Sequence, residues 1–125
     1  MPDSSFECAL AQGIKLFNAR EFYEAHEVWE EQWRLEEGDH KKFLQGLIQA
    51  AVAFYKLDTG NPRGLHKMLV KSIRNLAPLP PGSMDILLEE FLEKLADWDN
   101  RAQGMVESGR IDYKPDDLPR LERIQ

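Results

Sequence analysis

Apolar residues recur every three or four positions along most of the chain, and short polar or Gly/Pro-containing breaks divide the pattern into segments. Phe6, Leu10, Ile14 and Phe17 form the first stripe. Its spacing predicts a helix over 5–17, opened by a capping box of Ser4 and Glu7. A second helix runs from about residue 19 or 21 to 35. At 100° per residue it gathers Phe22, His26, Trp29 and Trp33 on one side and turns Glu24, Glu27 and Glu31 away. Asn18 is placed as its cap. A turn this short folds the second helix back antiparallel on the first, with Gly13 and Ala25 small enough for close approach. Gly38 is expected to end the second helix and Asp39 to cap the third.

The third helix, over 40–58, is apolar nearly all round. Phe43, Leu47, Ala50, Phe54 and Leu57 line one side, and Leu44, Ile48, Ala51 and Tyr55 the next. Only Gln45, Gln49 and Lys56 form a polar strip, so the helix belongs at the centre of a bundle. Gly60, Asn61 and Pro62 then supply a stop, a cap and a first turn. The fourth helix buries Leu65, Leu69, Ile73 and Leu76 and exposes Lys67, Lys71 and Arg74. The stretch Pro78-Leu-Pro-Pro-Gly82 forbids helix. Ser83 is placed as the cap of a fifth helix carrying Met84, Leu88, Phe91, Leu95 and Trp98. From Gly104 the pattern dissolves. An extended tail is expected there, with Ile111, Tyr113, Leu118 and Leu121 touching the bundle or a neighbouring chain. No strand-like alternation occurs. The predicted fold is all-α: a compact bundle of about five helices over 1–103, built as two antiparallel hairpins plus a fifth helix, and a tail over 104–125.

Composition narrows the function. The 125 residues suit one domain with a sizeable core, and 42% hydrophobic with 30% charged residues is the balance of a soluble globular chain. No apolar run approaches the roughly 20 residues that span a bilayer, so no membrane partner is expected. The N-terminal Met-Pro-Asp-Ser-Ser has no basic segment before an apolar one, so no signal peptide is expected. The lone cysteine, Cys8, has no internal partner, and a cytoplasmic setting follows as the expectation. A net charge of −6 argues against nucleic acid, whose binding rests on neutralising phosphates. The charge is also uneven. Glu21–Glu37 holds seven acids and one base, whereas Arg63–Leu76 holds four bases and no acid. Two such faces are either solvated helix surfaces or contact surfaces for self-association or an oppositely charged protein partner.

Candidate chemistry gathers around His26. With Glu27 and Glu30 it forms a His-Glu-x-x-Glu run, in which ligands one turn apart on a helix resemble half of a metal site. A third ligand would have to come from Gln45, Gln49 or His66. Alternatively, Glu30 orients His26 as a general acid or base near neutral pH, in a pocket lined by Gln45 and Gln49 beside Trp29 and Trp33. No nucleophile or phosphate loop accompanies it, and no cofactor is expected. The competing reading makes His26 an interior residue that fills space beside Trp29 and Trp33 and bonds Glu30 and a third-helix glutamine. On that reading the protein is a non-enzymatic interaction module that docks through the acidic second helix, the stripe Lys67, Lys71 and Arg74, and the tail.

The runs Phe17-Asn18, Glu24-Ala-His-Glu27, Trp29-Glu30 and Trp33, then Gln45-Gly-Leu-Ile-Gln-Ala-Ala51, Gly60-Asn61 and Gly64, resemble the signature of the domain of unknown function 309 family. The resemblance covers about 16–76 and implies a small helical bundle with no assigned activity. Two positions depart from the family pattern. Arg20 stands in a turn where members often have glycine. Lys56 stands where a histidine often follows the aromatic residue near the end of the third helix, so a shared site containing that histidine would lack one member in this chain.

Overall fold

The computed structural model describes residues 4–124. Five helices follow one another: α1 (Ser4–Asn18), α2 (Phe22–Trp33), α3 (Gly38–Asp58), α4 (Pro62–Leu76) and α5 (Leu88–Ser108). Single 3₁₀ turns lie at Ser83–Asp85 and Pro115–Asp117. The only β pairing among the described residues is an isolated antiparallel bridge between Ile86 and Arg123. The architecture is the all-α bundle of five helices that the periodicity predicts.

Each helix packs on the next in the chain, so α1–α2 and α3–α4 form hairpins joined through α2–α3. α5 closes the bundle by returning to α1 and α3, where Phe91 meets Phe17 at 5.9 Å and Trp98 meets Phe54 at 5.6 Å between ring centroids. Phe54 also touches Phe17 and Phe22, so one aromatic cluster joins four of the five helices. α3 is the central element. Phe43, Leu44, Leu47, Ala50, Ala51, Ala53 and Phe54 have no exposed surface.

Two glycines set helix spacing. A Cβ on Gly13 would fall 1.9 Å from Nε1 of Trp29, and one on Gly46 would fall 2.5 Å from the Leu76 side chain. Bare backbone on α1 therefore lies against the indole of α2, and bare backbone on α3 lies against the Leu76 side chain of α4. The Trp29 indole N–H is buried with no acceptor among the described residues. Ser72 donates to the Gly46 carbonyl at 2.6 Å, which ties α4 to α3 at that close crossing.

Asn61 caps α4 by accepting from the Gly64 amide at 2.9 Å, with Pro62 in the first turn. Other ends differ from their predicted form. α2 ends at Trp33 with Arg34 as its last half-helical residue. Gly38, in a left-handed conformation with φ +64°, starts α3 instead of closing α2, and no side chain caps α3, Asp39 included. Ser83 opens a 3₁₀ turn and donates to the Pro80 carbonyl, while α5 begins five residues later. α5 then runs through Gly104, which faces open space, and stops at left-handed Gly109. A glycine inside a helix costs about 1 kcal/mol against alanine but does not end it. The capping box placed at Ser4 falls on a side chain outside the described residues.

The tail folds back along the bundle and is anchored by side chains of distant helices. Asn18 does not cap α2. It ends α1, donates to the Leu121 carbonyl at 2.9 Å and accepts from the Leu121 amide at 2.8 Å. Arg20 donates to the carbonyls of Pro119 and Leu118 at 3.0 and 3.1 Å. Trp98 donates to the Asp117 carbonyl, and Arg123 pairs with Glu7 at 2.6 Å. Leu118 and Leu121 are buried between these ties. The Leu87 amide donates to the Glu122 carbonyl, and the Ile124 amide to the Asp85 carbonyl.

Candidate functional site

His26 sits on the shoulder of α2, between the buried row Phe22, Ala25, Trp29 and the exposed row Glu24, Glu27, Glu31. Its Nε2 lies 3.0 Å from Glu30 Oε2, and its Nδ1 lies 3.2 Å from the Tyr23 carbonyl. Glu30 also accepts from Arg34 at 2.9 Å. The three side chains make a chain along one helix edge, with the imidazole 22% and the carboxylate 39% exposed. Spacings of four residues produce it, and each such exposed pair contributes only about 0.3–0.5 kcal/mol. The expected bond from His26 to a third-helix glutamine is not made.

The ring of His26 opens onto a groove of about 180 Å³ between α2 and α3. Phe22 and Val52 give it apolar walls, and Tyr23, Tyr55 and Lys56 complete the lining. Tyr23 and Tyr55 stand 5.4 Å apart between ring centroids and are 46% and 38% exposed. Tyr23 also leans on His26 at 5.4 Å. Large aromatic rings left in water at facing positions on two helices are a feature that burial does not explain. Lys56 lies with its stem against Gly64, where a Cβ would come within 3.0 Å of its Cγ. The position at which the family resemblance places a histidine therefore lines the same groove as His26.

Gln45 and Gln49 lie elsewhere. Gln49 is buried and accepts from Asn75 of α4 at 2.7 Å. Gln45 lines a second depression with Trp33, Lys41 and Asn75. Trp33 there is partly buried, with the Lys41 ammonium 4.3 Å above its ring. Trp29 is fully buried and lines no opening. The predicted pocket thus divides into the groove at His26 and a polar contact between α3 and α4.

His66 is not a third ligand for His26. It faces α5, with Nδ1 2.6 Å from Asp99 Oδ1, and Gln103 donates to the other Asp99 oxygen at 3.1 Å. The two residues of that pair lie 33 positions apart, and no local pattern announces it. Among the described residues no three His, Cys, Asp or Glu side chains come together as a metal site would require. Glu27 is exposed and outside the groove. No serine, threonine or cysteine lines the groove, and Cys8 is exposed on α1. Lys67, Lys71 and Arg74 are all exposed on α4 and form no ion pair among the described residues.

A larger cleft, about 470 Å³, follows the seam between α5 and the tail. Its charged groups serve the seam. Arg101 lies 4.0 Å over the Trp98 ring and 3.5 Å from Asp117. Near it, burial and the neighbouring Arg120 push the Arg20 guanidinium below its ordinary range, while Asp116 opposes them. Arginine stays charged at neutral pH regardless, and the contacts of Trp98 and Arg101 with the tail make the cleft a packing joint.

Residues 10–68 match the model of the family described as Domain of unknown function (DUF309). Over 76 residues the chain is 35% identical to an uncharacterized protein of Aquifex aeolicus (strain VF5). That match takes in 60% of this chain but spans only 23% of the relative's length. The family resemblance carried by the Ala-His-Glu and Gly-Asn stretches is thus shown over residues 10–68, and it brings no activity with it.

Proposed function

We propose, for a chain that shares its helical core with a family of unassigned function, that this protein is a non-enzymatic interaction module of the cytoplasm, and that it receives a protein partner in the groove between α2 and α3. The exposed pair Tyr23 and Tyr55 carries this reading. Their facing rings, with Phe22 and Val52 beside them, make an apolar slot edged by His26 and Lys56. Tyrosine suits such a place because its ring gives contact area while its hydroxyl stays hydrated. Small-molecule clefts usually enclose about 300–1,000 Å³. A groove of about 180 Å³ has room for one apolar side chain presented by a partner. Among the described residues no helix is long and apolar enough to cross a membrane.

The test is to replace both tyrosines by serine and compare partner capture on immobilised protein. Both rings are substantially exposed, so unfolding free energy should change by no more than about 0.5 kcal/mol per site. Captured partners should be lost. An unchanged set of partners with a folded double variant defeats the proposal.

A second reading, a small-molecule or metal site, draws on one observation: residue 56 and His26 line the same groove. Here that position is Lys56, and Glu30 holds the Nε2 edge of His26. Glu30→Gln separates the two readings. It should remove any activity or bound metal if the second holds, and leave partner capture intact if the first does.

A further inference from the structure

We propose that a second copy of this chain docks head to tail on the first, the acidic face of α2 in one copy lying along the basic stripe of α4 in the other. The two faces are opposite in sign and match in length and width. Glu24, Glu27 and Glu31 are exposed, and so are Lys67, Lys71 and Arg74. Each set spans eight residues, about 10 Å of helix, within an arc of about 60°. None of the six takes part in an ion pair among the described residues. Elsewhere on this surface charges do find partners: Glu30 with Arg34, Glu36 with His40, Asp99 with His66, Glu7 with Arg123.

The two faces belong to helices that each pack on α3, and none of their six charges is paired within one copy among the described residues. A single copy therefore does not neutralise one with the other, whereas two copies can. Leu35, 73% exposed just beyond the end of α2, and the half-buried Val70 on α4 supply apolar surface beside the charges. The acidic face of the second copy also leaves its own basic stripe free. The contact is heterologous, and successive copies add in a row or close into a ring.

This proposal shares with the groove reading only the view that the protein is an interaction module. It uses none of the groove residues, so either can fail alone. The experiment is sedimentation velocity over a concentration series on the full chain, at about 20 mM and about 500 mM salt, because exposed charges are screened beyond a few ångströms at the higher value. Wild type should associate with rising concentration in low salt and not in high salt. Two variants separate the faces: Lys67→Glu with Lys71→Glu, and Glu24→Lys with Glu27→Lys. Each alone should associate at least about tenfold more weakly. Mixed in equal amounts, they should associate again, because the mixture restores an acidic α2 opposite a basic α4. All substituted side chains are exposed, and circular dichroism checks that the variants are folded. Wild type that stays monomeric in low salt, or folded variants that do not associate when mixed, overturns the proposal. So does association that survives in either variant alone.

Discussion

The seam between the tail and the bundle and the groove between α2 and α3 are built from similar parts. Each has aromatic rings, a charged side chain near them and an opening to solvent. They differ in what fills them. At the seam the chain supplies its own ligand: Leu118 and Leu121 enter as buried side chains, and their backbone groups are taken by Arg20 and Asn18. In the groove Tyr23 and Tyr55 keep 46% and 38% of their surface in solvent. Saturated polar groups and buried leucines mark a joint made during folding. Two half-exposed tyrosines at 5.4 Å mark a surface with nothing yet laid on it. The tail was expected to offer Leu118 and Leu121 to the bundle or to a neighbouring chain, and the bundle is where they go.

If the seam is structural, cutting it should cost far more stability than emptying the groove. Leu121→Ala leaves a cavity under the tail and should destabilise by about 2–5 kcal/mol. The urea midpoint should fall, and amide exchange should rise first in 118–124. A loss no larger than that of the double tyrosine variant would erase the distinction between the two regions.

Asn18→Ala is a finer cut. It leaves the Leu121 amide and carbonyl without their partners in a partly buried place, at about 1–3 kcal/mol. Arg20 keeps its own two carbonyls, so the tail should stay docked but exchange faster around Leu121. If Asn18 acted as a helix cap instead, the loss would show in the first turn of α2, with the tail unaffected.

The pattern read along the chain finds what is local. Four of the five helices fall within a few residues of their predicted limits, and Asn61 caps α4 because its partner Gly64 is three residues away. Asn18 shows the opposite case. It is a good cap residue, but its partner is 103 residues distant, which no local rule reveals. Arg20 is similar. Its φ of +69° is the left-handed conformation that favours glycine, and its guanidinium reaches tail carbonyls that glycine could not. At the groove, helical phase correctly joined His26 to Glu30 and put Gln45, Gln49 and Lys56 on one strip. Phase gives direction around a helix but not height along a neighbour. α2 and α3 run antiparallel, so His26 stands level with Val52 and Tyr55, and Trp33 with Lys41 and Gln45. Gln45 is therefore about 10 Å of helix rise away from the groove it was expected to line. Of the polar strip only Lys56 reaches it.

The smallest effect sits between the two regions, at Tyr113. This tail residue donates its hydroxyl to Asp58 at 3.1 Å, just past Tyr55 on α3. Burial first, then the hydrogen bond to Asp58 and the charge of that carboxylate, raise the Tyr113 hydroxyl above the ordinary phenol range. A raised value means that the folded state holds the proton more tightly than the unfolded chain. The contribution is therefore complete below the unfolded phenol value of about 10 and disappears as pH climbs through the higher folded value. Tyr113→Phe keeps the ring and removes the proton. Wild-type stability should accordingly fall more steeply than that of the variant above about pH 10, while the two differ by a constant amount near neutrality. Parallel curves throughout would mean that the tail is held by its other ties, those of Asn18, Arg20, Trp98 and Arg123 and the two buried leucines, and that the Asp58 contact merely accompanies the joint.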